Sequence, residues 1–318
     1  MEAAYLFDIF LDALTDSAKM IPLLFIIFVG TELVEYKYAN NIRETVQKAG
    51  VLGPAIGAVT GSFPQCGISV VASALYTQRL ITIGTLLAVY LSTSDEAIPV
   101  ILSQPENAKI IVPLIITKII IALIGGYAVD FAFKESNKKT LAHIKAYAEG
   151  HDNEYHNHET ILEEKACCGH STSPSSTEFN PKEIIFHPII HTIKVFIFIF
   201  GVSFAISFAI AQMGEETFEK IFLMHSVFQP FIVALFGLIP NCAASVAITM
   251  LYLKGVIAYG SVIAGLCVSG GVGLLVLLKE EKDKKNVLVI LLLLFGISVS
   301  AGYIIQYLIP FIMVYFLQ

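Results

Sequence analysis

Gly61-Ser62-Phe63-Pro64-Gln65-Cys66 and Gly237-Leu238-Ile239-Pro240-Asn241-Cys242 are one element written twice. The correspondence extends without a gap to Pro54, Ser69, Leu75-Tyr76, Gly84, Ala88, Lys109 and Gly126-Tyr127, which recur at Pro230, Ser245, Leu251-Tyr252, Gly260, Ala264, Lys285 and Gly302-Tyr303. Each pair is separated by 176 residues, as from 66 to 242. Duplicated apolar segments, interrupted at the same polar point, are how many membrane transporters are built, with the substrate site between the repeats at the interruptions.

Composition fixes the class around these elements. The 318 residues are 56% hydrophobic and 14% charged, and the apolar runs reach membrane-spanning length. The runs are continuous rather than alternating, so helices that satisfy their own backbone are expected, not a barrel. A net charge of −6 offers no basic surface for nucleic acid. Acidic Glu2, Asp8, Asp12 and Asp16 stand where a cleavable signal would carry basic residues, so residues 3–16 read as an amphipathic interfacial helix with Leu6, Ile9, Phe10 and Ala13 on one side.

The apolar runs fall at roughly 20–36, 50–76, 81–103, 109–133, 186–212, 227–251, 256–278 and 286–316. A helix over 50–76 would be about 40 Å long against a hydrocarbon core of about 30 Å, and Pro64 interrupts its middle. A broken or re-entrant element fits better. The expected fold is therefore all-α: a polytopic membrane protein of about 8–10 transmembrane or re-entrant helices, built from two sequence repeats with broken helices at their interface. An inverted arrangement is favoured, because a re-entrant hairpin at each Pro-x-Cys break removes one crossing per repeat. The basic residues leave the orientation open, with Lys37, Arg43 and Lys48 set against Lys134, Lys138, Lys139 and Lys145. The organisation reads as a first membrane repeat over 1–133, a polar linker over 134–185 whose composition predicts disorder, and a second membrane repeat over 186–318.

The candidate substrate site follows from the breaks. Pro64 and Pro240 free backbone carbonyls, while Gln65, Cys66, Ser69, Asn241, Cys242 and Ser245 bring polar groups to apolar depth. The alternative is two proline-kinked helices packed through small residues. A second interruption, Ser92-Thr93-Ser94-Asp95-Glu96, carries carboxylates inside an apolar run, and intramembrane carboxylates usually mark cation or proton paths. Thr93, Ser94, Asp95 and Glu96 therefore join the candidate site, against the plainer reading of an interfacial turn. The matching stretch Val268-Ser269-Gly270-Gly271-Val272 is interrupted but uncharged, and Ser269 is included with it.

Lys118, in the middle of the 109–133 run, needs a carboxylate such as Asp95 or Glu96, or a route to water by snorkelling. It is the expected coupling or charge partner. Asp95, Glu96, Cys66 and Cys242 are the candidate metal ligands of the membrane region. In the linker, His151, His156, His158, Cys167, Cys168 and His170 supply imidazole and thiolate without the C-x₂-C spacing of a structural zinc site. Glu32 with Glu35, and His187 with His191, read first as solvated or interfacial helix ends.

These motifs, Phe63-Pro64-Gln65-Cys66-Gly67, Ile239-Pro240-Asn241-Cys242-Ala243 and Ser92-Thr93-Ser94-Asp95-Glu96-Ala97 beside a His-rich linker, resemble the family of ten-helix heavy-metal exporters. Its members are labelled arsenic-efflux proteins or manganese transporters. The resemblance implies export across a prokaryotic cytoplasmic (inner) membrane without ATP, and the chain carries no phosphate-binding Gly-x-x-x-x-Gly-Lys-Ser/Thr element. Oxygen donors suit a hard divalent ion such as Mn²⁺, whereas Cys66 with Cys242 suits trivalent arsenic or a soft metal. The divalent metal is placed ahead, because the Asp95-Glu96 pair has no task with neutral arsenous acid except proton coupling. The expected partners are the lipid bilayer and the transported ion, with a homodimer left open and no resident cofactor called for. The competing readings are a permease for an organic or sulfur-containing anion, an intramembrane enzyme using Cys66 or Cys242, and a non-transporting membrane metal sensor. The enzyme is disfavoured because neither cysteine has a sequence-evident base, His225 being placed at an interface.

Overall fold

The breaks predicted from Pro64 and from the Ser92–Glu96 run appear as interruptions between short helices. In the computed structural model the described residues are 50–64, 66–94, 96–134, 181–213, 226–240 and 242–308, with positions 137 and 140 and scattered helical positions between 10 and 29. Among them every regular element is a helix. In chain order these are α1 Gly53–Gly61, α2 Cys66–Thr77, α3 Ile83–Ser92, α4 Ala97–Leu102, α5 Ile111–Ala132, α6 Pro181–Met213, α7 Gln229–Gly237, α8 Cys242–Leu253, α9 Tyr259–Val268, α10 Gly271–Glu280 and α11 Lys284–Tyr303. A π turn over Ile304–Leu308 extends α11. Helix α6 starts inside the stretch that composition assigns to the linker, and its 33 residues make a rod about 50 Å long.

Among the described residues four stretches are long and apolar enough to cross a membrane: 83–102, 106–132, 259–280 and 284–307. The chain is a multi-pass helical membrane protein. Two of these stretches, 83–102 and 259–280, contain the α3–α4 and α9–α10 breaks.

Adding 176 to the bounds of α1, α2 and α3 returns the bounds of α7, α8 and α9. The local chemistry follows the same register. Pro54 and Pro230 lie in the first turns of α1 and α7, where a missing N–H costs nothing. After α2 the chain turns at Arg79 in the left-handed region (φ 60°), with Leu80 N–H donating to Leu75 O at 2.9 Å. After α8 it turns at Gly255 (φ 74°), with Val256 N–H donating to Leu251 O at 2.9 Å. This is the glycine-favouring helix stop. Arginine at the first of the two sites is held by its neighbours: its guanidinium lies 5.4 Å from the Tyr76 ring centroid and 3.3 Å from Glu281 Oε1.

Helices α1, α3 and α5 pack on one another, as do α7, α9 and α11, while α3 also meets α9. All of α3 is buried, and so is α9 from Gly260 onward. On α5 the buried face is Leu114, Lys118, Ala122, Gly125, Gly126 and Val129, whereas Ile116, Ile120, Ile124 and Phe131 point outward to the apolar surround. The short helices cross over: α2 packs on α10, and α8 on α4.

Close approach at the helix crossings requires glycine. A Cβ on Gly84 would strike the Gly126 carbonyl oxygen, and one on Gly260 would lie 2.5 Å from the Gly302 carbonyl oxygen. Gly84→Val and Gly260→Val should each lower stability by about 1–3 kcal/mol through overpacking. Gly296→Ala, where the added carbon meets nothing within 4 Å, should be neutral or slightly stabilising. Unfolding midpoints of the purified variants in detergent check this, and equal midpoints for all three would contradict the packing.

Candidate functional site

Helix α3 ends at Ser92 because the next residue, Thr93, turns extended (φ −55°, ψ 130°). Its carbonyls do not go unpaired. Ser92 Oγ donates to Ala88 O at 2.8 Å, and Thr93 Oγ1 donates to Val89 O at 2.8 Å. Ser92, Thr93, Ser94 and Glu96 are all buried, so this stretch is no solvent-facing turn. Opposite it, α9 ends at Val268, Ser269 is buried and non-helical (φ −74°, ψ 90°), and α10 restarts at Gly271 with φ 56°.

Lys118 lies between the two breaks. Its side chain is fully buried, and its Nζ donates to Thr93 O and, at 2.9 Å, to Leu266 O. It therefore does not snorkel to an interface. The ammonium sits where two helices present their C-terminal carbonyls, the negative ends of their dipoles.

The α2–α10 crossing forms a second buried polar cluster. Ser73 Oγ donates to Ser69 O at 2.6 Å and lies within hydrogen-bond distance of Gly273 O at 2.7 Å and of Tyr90 Oη at 2.7 Å. Tyr90 Oη in turn donates to Gly273 O at 3.1 Å. The approach is close because residue 273 is glycine: a Cβ there would run into the Ser69 carbonyl. On α8 the corresponding hydroxyl, Thr249 Oγ1, donates to Ser245 O at 2.7 Å.

Of the residues singled out from sequence, Thr93 and Lys118 are thus in direct contact. Ser69 lies against α10, while Ser94, Glu96, Ser245 and Ser269 are buried at the breaks or on the crossing helices. Cys66 and Cys242 open α2 and α8, just after the turns that contain Pro64 and Pro240. Gln65, Asp95, Asn241, Glu32, Glu35 and His225 lie outside the described residues, as do the side chains of Cys66, Cys242, His187 and His191. The linker residues His143, His151, His156, His158, Cys167, Cys168 and His170 also lie outside them. Among the described residues no three His, Cys, Asp or Glu side chains come together.

Sequence reading missed Ser73, Tyr90, Gly273 and Thr249. One signal was available: Ser73 and Thr249 are both hydroxyls at the 176-residue spacing. It also missed Asp130, whose Oδ1 accepts from Gly84 N at 2.8 Å and whose Oδ2 accepts from Thr82 Oγ1 at 2.8 Å, so that it caps the start of α3.

Broken helices meeting around buried polar atoms, in a multi-pass helical protein, are a feature of many membrane transporters. The sequence profile of the family described as "Putative, 10TM heavy-metal exporter" matches residues 3–206, well over half of the chain. The chain belongs to this family. No curated protein and no solved structure matches it.

Because Ser73 and Tyr90 share the Gly273 carbonyl, Ser73→Ala and Tyr90→Phe should each cost about 1 kcal/mol. The double variant should lose less than the sum. Strict additivity in equilibrium unfolding would show that the two hydroxyls act independently.

Proposed function

We propose that the protein is a secondary-active exporter. It moves a metal or metalloid ion across a prokaryotic cytoplasmic membrane by alternating exposure of a site between two sequence-related, inverted membrane repeats. The observation that carries this reading is the exchange of short helices between the halves: α10 lies on α2 and α4 on α8, at the level where α3 and α9 are broken. Rocking one half against the other would part these contacts in turn. The matching bounds of α1–α3 and α7–α9, and the matching glycine crossings, support a repeat.

The cargo site is assigned to the break residues Thr93, Ser94, Asp95, Glu96 and Ser269, with Gln65, Cys66, Asn241 and Cys242 at the Pro-x-Cys turns. A divalent metal such as Mn²⁺ is favoured over an arsenic species, because Glu96 is buried at the end of a run that also carries the hydroxyls of Ser92, Thr93 and Ser94, residue types that make a hard donor set. A buried carboxylate pair that takes up a proton when the metal leaves would couple export to the proton gradient. The family's transporter character argues against an enzyme.

Flux into proteoliposomes over Mn²⁺, Zn²⁺, Co²⁺, arsenite and methylated arsenicals tests the assignment. Asp95→Asn and Glu96→Gln should slow Mn²⁺ flux on the order of tenfold or more each, the equivalent of losing about 1.5–3 kcal/mol of charged ligation. Cys66→Ser and Cys242→Ser should leave it within about threefold. Parental Mn²⁺ flux in both neutral variants, with arsenical flux lost in the cysteine variants, would reassign the cargo to arsenic. Flux of none of the panel would return the anion permease or the sensor.

Deleting residues 145–175 should leave the protein folded and basal flux intact while weakening metal-dependent regulation, since polar, low-hydrophobicity chain adds little core. Failure to recover folded protein would make the linker structural.

A further inference from the structure

Lys118 reaches one backbone carbonyl in each half of the chain. Thr93 O closes the end of α3, and Leu266 O lies in the last turn of α9. Each is a helix-end carbonyl with no partner in its own helix ladder at this point, and each carries the negative end of a helix dipole. Two such oxygens aimed at one buried point make a seat for a cation. Broken-helix transporters use unwound carbonyls and helix C-terminal ends in this way to hold small ions. Here the seat is filled by a side chain of the protein. At the 176-residue spacing Lys118 matches Leu294, so the cation is supplied from one half only. Lys118 is fully buried on α5, and Ala122 and Leu114, one turn to either side, close the face around it. The thiol of Cys267, next to Leu266, is also buried.

We infer that the Lys118 ammonium is a tethered replacement for a free monovalent cation at the seat formed by Thr93 O and Leu266 O. It holds the ends of α3 and α9 together without a bound sodium or potassium ion, and removal of the side chain opens a site for such an ion. Lys118 is then a positioning residue that sets the relation of the two breaks. The inference does not depend on which cargo crosses.

Thermal unfolding of the full-length protein in detergent, at constant ionic strength, tests it with choline, sodium, potassium and methylammonium chlorides. The parental protein should unfold at one temperature in all four. Lys118→Ala should be destabilised in choline and regain most of the loss in sodium, potassium or methylammonium, with equal increments per tenfold concentration above the dissociation constant. Lys118→Met, which fills the space with an apolar chain, should not respond. Lys118→Arg keeps the charge and should unfold at the same temperature in all four salts. The inference is overturned if Lys118→Ala responds no more than Lys118→Met, or if it cannot be recovered folded in any of the three small cations. A sodium or potassium response of the parental protein, or of Lys118→Arg, would overturn it equally.

Discussion

A backbone carbonyl released from a helix at apolar depth must find a donor, since no water is present to take it. Every element described above is arranged around that requirement. At the α3–α4 break Lys118 reaches the Thr93 carbonyl, while the Ser92 and Thr93 hydroxyls bond back onto α3. The Gly273 carbonyl, in the first turn of α10, additionally accepts from Tyr90 and lies beside Ser73, which ties α10 to α2 and α3. The glycines at the crossings matter for the same reason: only without side chains do the helices come close enough for these short polar groups to reach across.

The scaffold is close to symmetric while its chemistry is not. At the 176-residue spacing Asp95 and Glu96 face Gly271 and Val272, Lys118 faces Leu294, Asp130 faces Gln306, and Arg79 faces Gly255. Inside the apolar runs 81–103 and 109–133 these charges stand at positions whose counterparts are neutral, while the charges of the second half gather between its runs, at 279–285. Such a pair of halves offers one charged site rather than two equivalent ones.

Much of this was legible in the order of residues. The spacing of Pro64-x-Cys66 and Pro240-x-Cys242 marked the short helices, and the polar run at 92–96 marked the broken span. The two carbonyls that Lys118 reaches were not legible, because only a broken helix exposes them. Tyr90 and Ser73 each look like an incidental hydroxyl in an apolar run. What joins them is the packing of α2 on α10, a contact between distant parts of the chain that no local pattern encodes. Arg79 in a left-handed turn is legible only once Glu281 is found beside it.

The same long-range contact bears on how the protein is made. Ser73 and Gly273 are 200 residues apart. At about 5–20 residues per second, a ribosome needs on the order of 10–40 s to deliver the second after the first. Throughout that interval the Ser73 hydroxyl has the Ser69 carbonyl of its own helix and then Tyr90 as partners, so the α2–α10 contact is a late addition to a polar group that is already satisfied locally.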